Sequence, residues 1–373
     1  MGFPTTAGII FQRKERPVRQ FTLAVLLSCV GTLLAQEKSA APAGKFSGLM
    51  FGDYYYNVQR DPNLGSQSNV ATPGTTAVQG FQFRRIYLTY DNDIAEQFAS
   101  RFRIEAEQGV NISNGKIGVV VRDAYLRWKN IFAGSDLIFG IQPPPTYDIS
   151  DAFWGYRSLE KTLMDLRGIY APRDIGVSLK GKLVPSGILN YWLMIGKNSV
   201  SSSVPSKYNR YSIHLHIRPS SNLLATIYAD YNDRANRTDP FAVGAKVANG
   251  TTTFALFVGY TQPDLFSLGG EGFSSSTASG YTSPGARSLS ALTSFGFSGW
   301  ASLNLVSSVT AVGRFDYFDL NSNAHARATH GTILSVEFPG SRTRMSPSSR
   351  IFCTKHMRNR RGEQLSTPVS QRE

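Results

Sequence analysis

Apolar and polar positions alternate along most of this chain. In 98–107, Phe98, Ser100, Phe102, Ile104 and Ala106 fall on one parity and Arg101, Arg103, Glu105 and Glu107 on the other. In 210–218, Tyr211, Ile213, Leu215 and Ile217 oppose Arg210, Ser212, His214, His216 and Arg218. A period of two puts each set on one face of a β-strand, and no helix sorts them that way. Thirteen segments read as strands: 46–58, 79–91, 98–109, 117–129, 136–142, 174–183, 188–196, 208–218, 223–231, 251–261, 265–273, 289–302 and 306–319. Between them, tight turns such as 91–97, Pro185-Ser186-Gly187 and Gln262-Pro263-Asp264 alternate with long loops at 59–78, 110–116, 143–173, 197–207, 232–250 and 274–288.

Strands of about 9–11 residues joined alternately by short turns and long loops predict an all-β fold, a transmembrane antiparallel up-and-down β-barrel. A soluble sandwich alternates too, with its polar face outward; the regular alternation of short and long connectors favours the barrel. Residues 288–313 are uncharged and invite a membrane-helix reading. They hold seven Ser and three Gly with scattered apolar positions, so two strands and a turn fit better.

The N-terminus differs from the body. Arg13, Lys14, Arg16 and Arg19 precede an apolar run from Phe21 to Ala35, the pattern of an export signal. We place the signal at 1–35 and a short linker at 36–45. A run of fifteen residues is too short to span a bilayer as a helix. A lipoprotein cut before Cys29 would strand VGTLLA on the mature chain. Cys29 and Cys353 flank a body without thiols, which suits an oxidising compartment and excludes a thiol enzyme.

The net charge of +13 suggests a nucleic-acid binder, but its distribution does not. Residues 1–38 carry +3 and 340–373 carry +6, leaving +4 for the middle. Nucleic acid is therefore not an expected partner. Gly-rich phosphate loops, a Ser nucleophile elbow, zinc-ligand spacing and dinucleotide fingerprints are absent from the sequence, so no cofactor, metal or catalytic set is expected. His214 and His216 share a strand face but lack a third ligand. A barrel-embedded lipase or protease is the rival class, and a non-conducting structural barrel a further one.

The candidate functional residues lie on polar strand faces and in one loop. Arg101, Arg103, Glu105, Glu107, Arg210, His214, His216 and Arg218 are the expected pore lining. The loop 143–173 opens with Pro143-Pro144-Pro145, which end a strand because proline cannot donate to the ladder. Its segment SLEKTLMDLRG predicts a short helix, with Ser158 as N-cap and Gly168 just past its end. Folded inward, this loop would narrow the lumen and present Arg157, Lys161, Arg167 and Arg173, partly offset by Glu160 and Asp165.

The runs GFQFRRIYLTYDNDIAEQFASRFRIEAE, RDAYLRWKN, IFGIQPPP and WGYRSLEKTLMDLRGI with RDIGVSLKGKL resemble porins grouped with the phosphate-selective porins O and P, over about 45–320. The resemblance implies a sixteen-stranded outer-membrane channel, anion-preferring or general, with lipid and small solutes or anions as partners and a homotrimer by analogy. No long basic ladder supports phosphate selectivity itself.

Thirteen strands is odd where single-chain bacterial barrels have even numbers. Alternation fades near Asn323, the tail turns Arg- and Ser-rich, and the chain ends in SQRE. Permitted codons for 344–360 also read, in another frame, as DVSIIPDILYETYEKP. The expectation is an incomplete barrel over 46–323 and an aberrant basic tail at 324–373, a frameshift product without ordered barrel strands.

Overall fold

The computed structural model describes residues 44–56, 79–112, 116–198, 206–282, 285, 287–306, 309–322, 328–337, 350–351 and 356–359. The export signal, most of the linker, the loop 59–78 and most of the tail lie outside these residues.

Thirteen long strands form where alternation places them: β1 (Lys45–Tyr56), β2 (Gln79–Ala95), β3 (Phe98–Ile112), β4 (Lys116–Phe132), β5 (Ser135–Gln142), β6 (Asp174–Lys182), β7 (Leu189–Gly196), β8 (Arg210–Ile217), β9 (Leu223–Asn232), β12 (Thr251–Gln262), β13 (Phe266–Tyr281), β14 (Ser290–Val306) and β15 (Val309–Asp319). The loop after β9 carries a small hairpin, β10 (Arg237–Thr238) with β11 (Lys246–Val247). Each long strand pairs antiparallel with its neighbour in the chain, an up-and-down order throughout. The uncharged stretch at 288–313 is indeed a strand pair, because its small and hydroxyl residues alternate with Phe and Trp. No helix among the described residues is long and apolar enough to cross a membrane.

Pairing also runs past residue 323, which corrects the expectation that the tail holds no barrel strand. A fourteenth strand, β16 (Ala328–Glu337), pairs with β15 over ten residues. The free edge of β15 offers a row of backbone donors and acceptors, and ATHGTILSVE is rich in β-branched residues that suit a pleated surface. Two short pieces, β17 (Arg350–Ile351) and β18 (His356–Asn359), pair with β16. Among the described residues no pairing joins β1 to a strand other than β2, so the ladder is not closed.

Burial is inverted relative to a soluble sandwich. In β12, Thr253 is fully buried and Phe257 nearly so, while Phe254, Leu256, Val258 and Tyr260 are exposed. In β14, Ser294, Ser298 and Ser302 are buried and Phe295, Phe297 and Leu303 are exposed. An apolar face turned outward on strand after strand needs lipid to cover it. Charges stay off that face because a Lys or Arg at the lipid midplane costs about 2–4 kcal/mol.

The sheet is also curved. The segment between β5 and β6 shares one pocket with Ser47, Gly48 and Leu49 of β1, yet packs on Val312 and Phe318 of β15. On a flat sheet those strands would stand roughly 55–60 Å apart, at about 4.8 Å per strand. A single loop touches both because the sheet wraps around it.

Candidate functional site

The loop 143–173 lies against the inner face. After the prolines comes α1 (Asp148–Trp154), stopped by Gly155 at φ 68°, then α2 (Leu163–Leu166), followed by Gly168 at φ 63°. Both glycines sit in the left-handed region that a side chain would strain. The helix expected from Ser158 is thereby corrected. Only Leu163–Leu166 is helical in that segment, Thr162 occupies the N-cap, and its side chain makes no capping bond. The cap comes from the barrel wall instead: the Leu163 amide donates to Glu271 Oε1 at 2.6 Å, and Ser150 Oγ donates to Glu271 Oε2 at 3.2 Å.

Two contrasting contacts hold the loop. Toward β9 and β12–β15 it is apolar. Trp154 packs edge-on against Trp300, Phe153 packs against Phe257, and Leu163 and Met164 are buried with Tyr228, Phe273 and Phe318. Arg314, held in a fork by Asp316 at 2.8 and 2.9 Å, donates to the Lys161 carbonyl at 2.7 Å and lies over the Trp154 ring. Toward β2–β4 the contact is ionic. Arg173 pairs with Asp123, which also pairs with Arg103 at 3.3 Å. Glu105, fully buried, sits between Arg85 at 3.5 Å and Arg122 at 3.0 Å.

A register shift sets up the ionic side. Arg103 faces Asp123, but the next residue, Ile104, faces Val121, so Arg122 is an extra residue in β4. The bulge lets Arg122 and Asp123, neighbours in sequence, both reach charged partners on the inner face.

The expected lining residues are placed as follows. Arg101 holds Asp91 through two bonds, at 2.6 and 3.0 Å. Arg103 donates to Thr89 at 2.8 Å and lies over Tyr87. Arg210 is buried, bonded to Asp230 at 2.7 Å and Asn198 at 2.9 Å, over the Tyr170 ring. His214 is buried beside Tyr228, and His216 is half-buried. Arg218 falls one residue past β8, exposed in the turn rather than on the strand. The side chain of Glu107 lies outside the described residues.

The four cations of the loop are not alike. Arg157 is clamped by Asp151 and Asp165, both at 2.6 Å. Burial pulls its pKa down, but the two carboxylates more than offset that, so it stays charged. Burial also pulls Arg173 down and Asp123 brings it back up past its ordinary value, with Asp148 adding to that field. Arg167 lies over Phe318, and burial leaves it below its ordinary value. Lys161 contributes its backbone carbonyl. Burial raises the Asp151 carboxyl, with Arg157 pulling back. Sequence reading passed over Arg85, Arg122, Asp123, Glu271 and Arg314. The double charges in FRRIYL and VRDAY hinted at the first three, while Glu271 stands alone in a Gly- and Ser-rich strand and gave no signal.

No family model matches the chain, and no curated protein matches its sequence. Solved structures do. The outer membrane channel DcaP of Acinetobacter baumannii aligns with TM-score 0.53 at 13% identity, over 87% of this chain and 96% of that one. An anion-selective porin from Comamonas acidovorans aligns with TM-score 0.52 at 13% identity, over 79% and 83%. The fold is that of the porin barrels. Outer-membrane OmpT of Vibrio cholerae gives TM-score 0.51 at 13% identity, over 81% and 84%. At such identities the likeness is one of porin fold, and none of the three is described as phosphate-selective.

Proposed function

We propose that this chain is an outer-membrane porin, exported through its N-terminal signal. It would form a water-filled channel for passive diffusion of small hydrophilic solutes, anions included. The observation that carries the reading is the inward loop. It spans from the β2–β4 wall to the β12–β15 wall on the one face where charged side chains collect, while the opposite face is apolar. A porin needs that arrangement: lipid outside, water and fixed charge inside, and a segment that narrows the passage. Arg101, Arg103 and Arg173 are the lining residues on this reading, Arg210 being buried behind them, and a homotrimer is the expected assembly.

The rival reading, a barrel-embedded enzyme, finds little support around His214. Asp230 is held by Arg210 at 2.7 Å and by the Tyr228 hydroxyl at 2.6 Å, neither of them a histidine. No Ser-His-Asp relay is built there.

The test is conductance. Full-length protein that migrates differently before and after boiling is reconstituted in planar bilayers. Stepwise ion currents are expected. Arg101→Glu with Arg103→Glu should move the reversal potential toward cation selectivity. Recovery as a soluble periplasmic protein, or an unmoved potential, defeats the reading.

A further inference from the structure

Beyond a passage open to any small solute, we infer that one sector of the wall, β6–β8, sets a preference for small anions through three cations that no carboxylate pairs with: Lys180, Lys182 and Arg218. This rests on the channel reading and deepens it, since it names the solute class and the residues that select it.

The charge of the barrel is not spread evenly. Residues 44–174 hold fourteen Lys/Arg and fourteen Asp/Glu. Residues 230–319 hold five Lys/Arg and seven Asp/Glu. Residues 175–229, which make up nearly all of β6, the whole of β7 and β8 and most of β9, hold six Lys/Arg and no Asp or Glu. The entire positive surplus of the barrel therefore lies in one run of neighbouring strands.

Pairing sharpens the contrast. On β2–β5 the cations meet carboxylates one by one: Arg101 with Asp91, Arg103 with Asp123, Arg127 with Asp136, Lys129 with Asp93. Within 175–229 Arg210 meets Asp230, Lys197 donates to the Ser206 carbonyl, and Lys207 lies over Tyr208. The side chains of Lys180, Lys182 and Arg218 make no hydrogen bond or ion pair among the described residues. Lys182 and Arg218 are exposed, and Lys180 is part-exposed with its ammonium over the Trp192 ring. Asp136, opposite Lys180 in register, is taken by Arg127, and Asp148 of the loop acts on Lys180 without a bond.

These three cations share one end of the sector. Lys180 and Lys182 have the parity of buried Asp174 and Ser178, the inner face. Lys182 stands opposite Asn190, and Asn190 opposite His216, two residues before Arg218. At about 4.8 Å per strand and 3.4 Å per residue, Lys182 and Arg218 are about 12 Å apart at the backbone. Long side chains from both sides reach into that gap, and Arg218 is near enough for its charge to act on His216. The gap lies at the tight-turn mouth of the lumen, where an entering anion meets positive charge and no fixed negative charge on β6–β8. A unit charge about 6 Å from a passing ion biases it roughly threefold in water, and fixed charge at a constriction sets ion preference.

The experiment uses full-length protein. Chloride-to-potassium permeability is read from reversal potentials in planar bilayers under a salt gradient, and chloride NMR line width is read in micelles as a measure of anion binding that needs no conduction. Lys180→Gln with Lys182→Gln and Arg218→Gln should lower the permeability ratio at least about threefold and remove most of the excess line width. Lys182→Gln alone and Arg218→Gln alone, both at exposed positions, should each show part of both losses, which keeps the test open if the triple variant does not fold. Lys129→Gln with Asp93→Asn removes a matched pair and should change neither reading. Conductance with an unchanged ratio in the triple variant overturns the inference and leaves the channel standing, as does a chloride line width that the triple variant does not alter. Chloride broadening that is lost in the triple variant of a protein that does not conduct upholds the anion site and overturns the channel.

Discussion

The two walls that hold the inward loop do so by different physics. On the β12–β15 wall, Trp154, Leu163 and Met164 are buried against Trp300, Phe257 and Phe273, with polar contacts from Glu271 to Leu163 and Ser150 and from Arg314 to the Lys161 carbonyl. On the β2–β4 wall the loop meets arginines and carboxylates and leaves a cavity. Apolar burial is non-directional and stabilises in proportion to area. Buried ion pairs gain little net stability, since desolvation offsets most of the attraction. The apolar wall therefore anchors the loop, and the ionic wall adds little to its hold. Division of labour inside one barrel follows from that contrast.

The largest effect should come from the anchor. Trp154→Ala removes a side chain that is 1% exposed and leaves its partners facing a void. A loss of about 3–5 kcal/mol in stability is expected, read by denaturant unfolding in micelles. Single-channel conductance should rise and become noisy as the loop lets go of Trp300. A loss below 1 kcal/mol with unchanged conductance would mean that the ionic wall carries the loop.

Glu271→Ala should act next. Its carboxylate serves the Leu163 amide and Ser150 on the two helices of the loop. Without it a buried amide has no acceptor, at a cost of about 1–3 kcal/mol. Glu271→Gln keeps one acceptor for Leu163 and should restore part of the loss. If Ala and Gln behave alike, the carboxylate is not a clamp and the apolar packing suffices.

How much of this was visible in the sequence follows the same division. Strand positions were legible because a period of two survives wherever one face meets lipid; all thirteen expected strands appear, most with ends shifted by a few residues, while β13 runs on to Tyr281 through half of the loop expected at 274–288. The inward-facing parity of Arg101, Arg103, Glu105 and Arg210 was legible for that reason too. Partnerships were not. Nothing in the spacing of Arg122 and Asp123 announces a bulge, which depends on how β3 and β4 settle against each other. The tie from Glu271 to Leu163 spans 108 positions and leaves no periodic trace. The α1 helix was missed because seven residues are too few for a helical period to show, and α2 came out shorter than expected because its cap is supplied by another strand. β16 was missed because the residues around it obscure its pattern, although a free edge on β15 was waiting for it.

The smallest expected effect lies at the rim, outside both walls. Lys129 pairs with Asp93 beside the tight turn between β2 and β3, with side-chain exposures of 28% and 61%. Solvent there screens the charges, and two flexible side chains lose entropy to stay paired, so exposed pairs of this kind contribute about 0–1 kcal/mol. Register in this corner does not depend on the pair: the Lys129 amide donates to the Gln97 carbonyl at 2.7 Å, and Phe98 packs on Trp128. Lys129→Ala should therefore leave unfolding midpoints, heat-dependent migration and ion selectivity close to those of the parent. A change of 2 kcal/mol or more, or a shift in reversal potential as large as that from the Arg101 and Arg103 exchange, would show that charge at the rim governs this barrel as strongly as charge inside it, and the contrast between an anchoring wall and an ionic wall would lose its force.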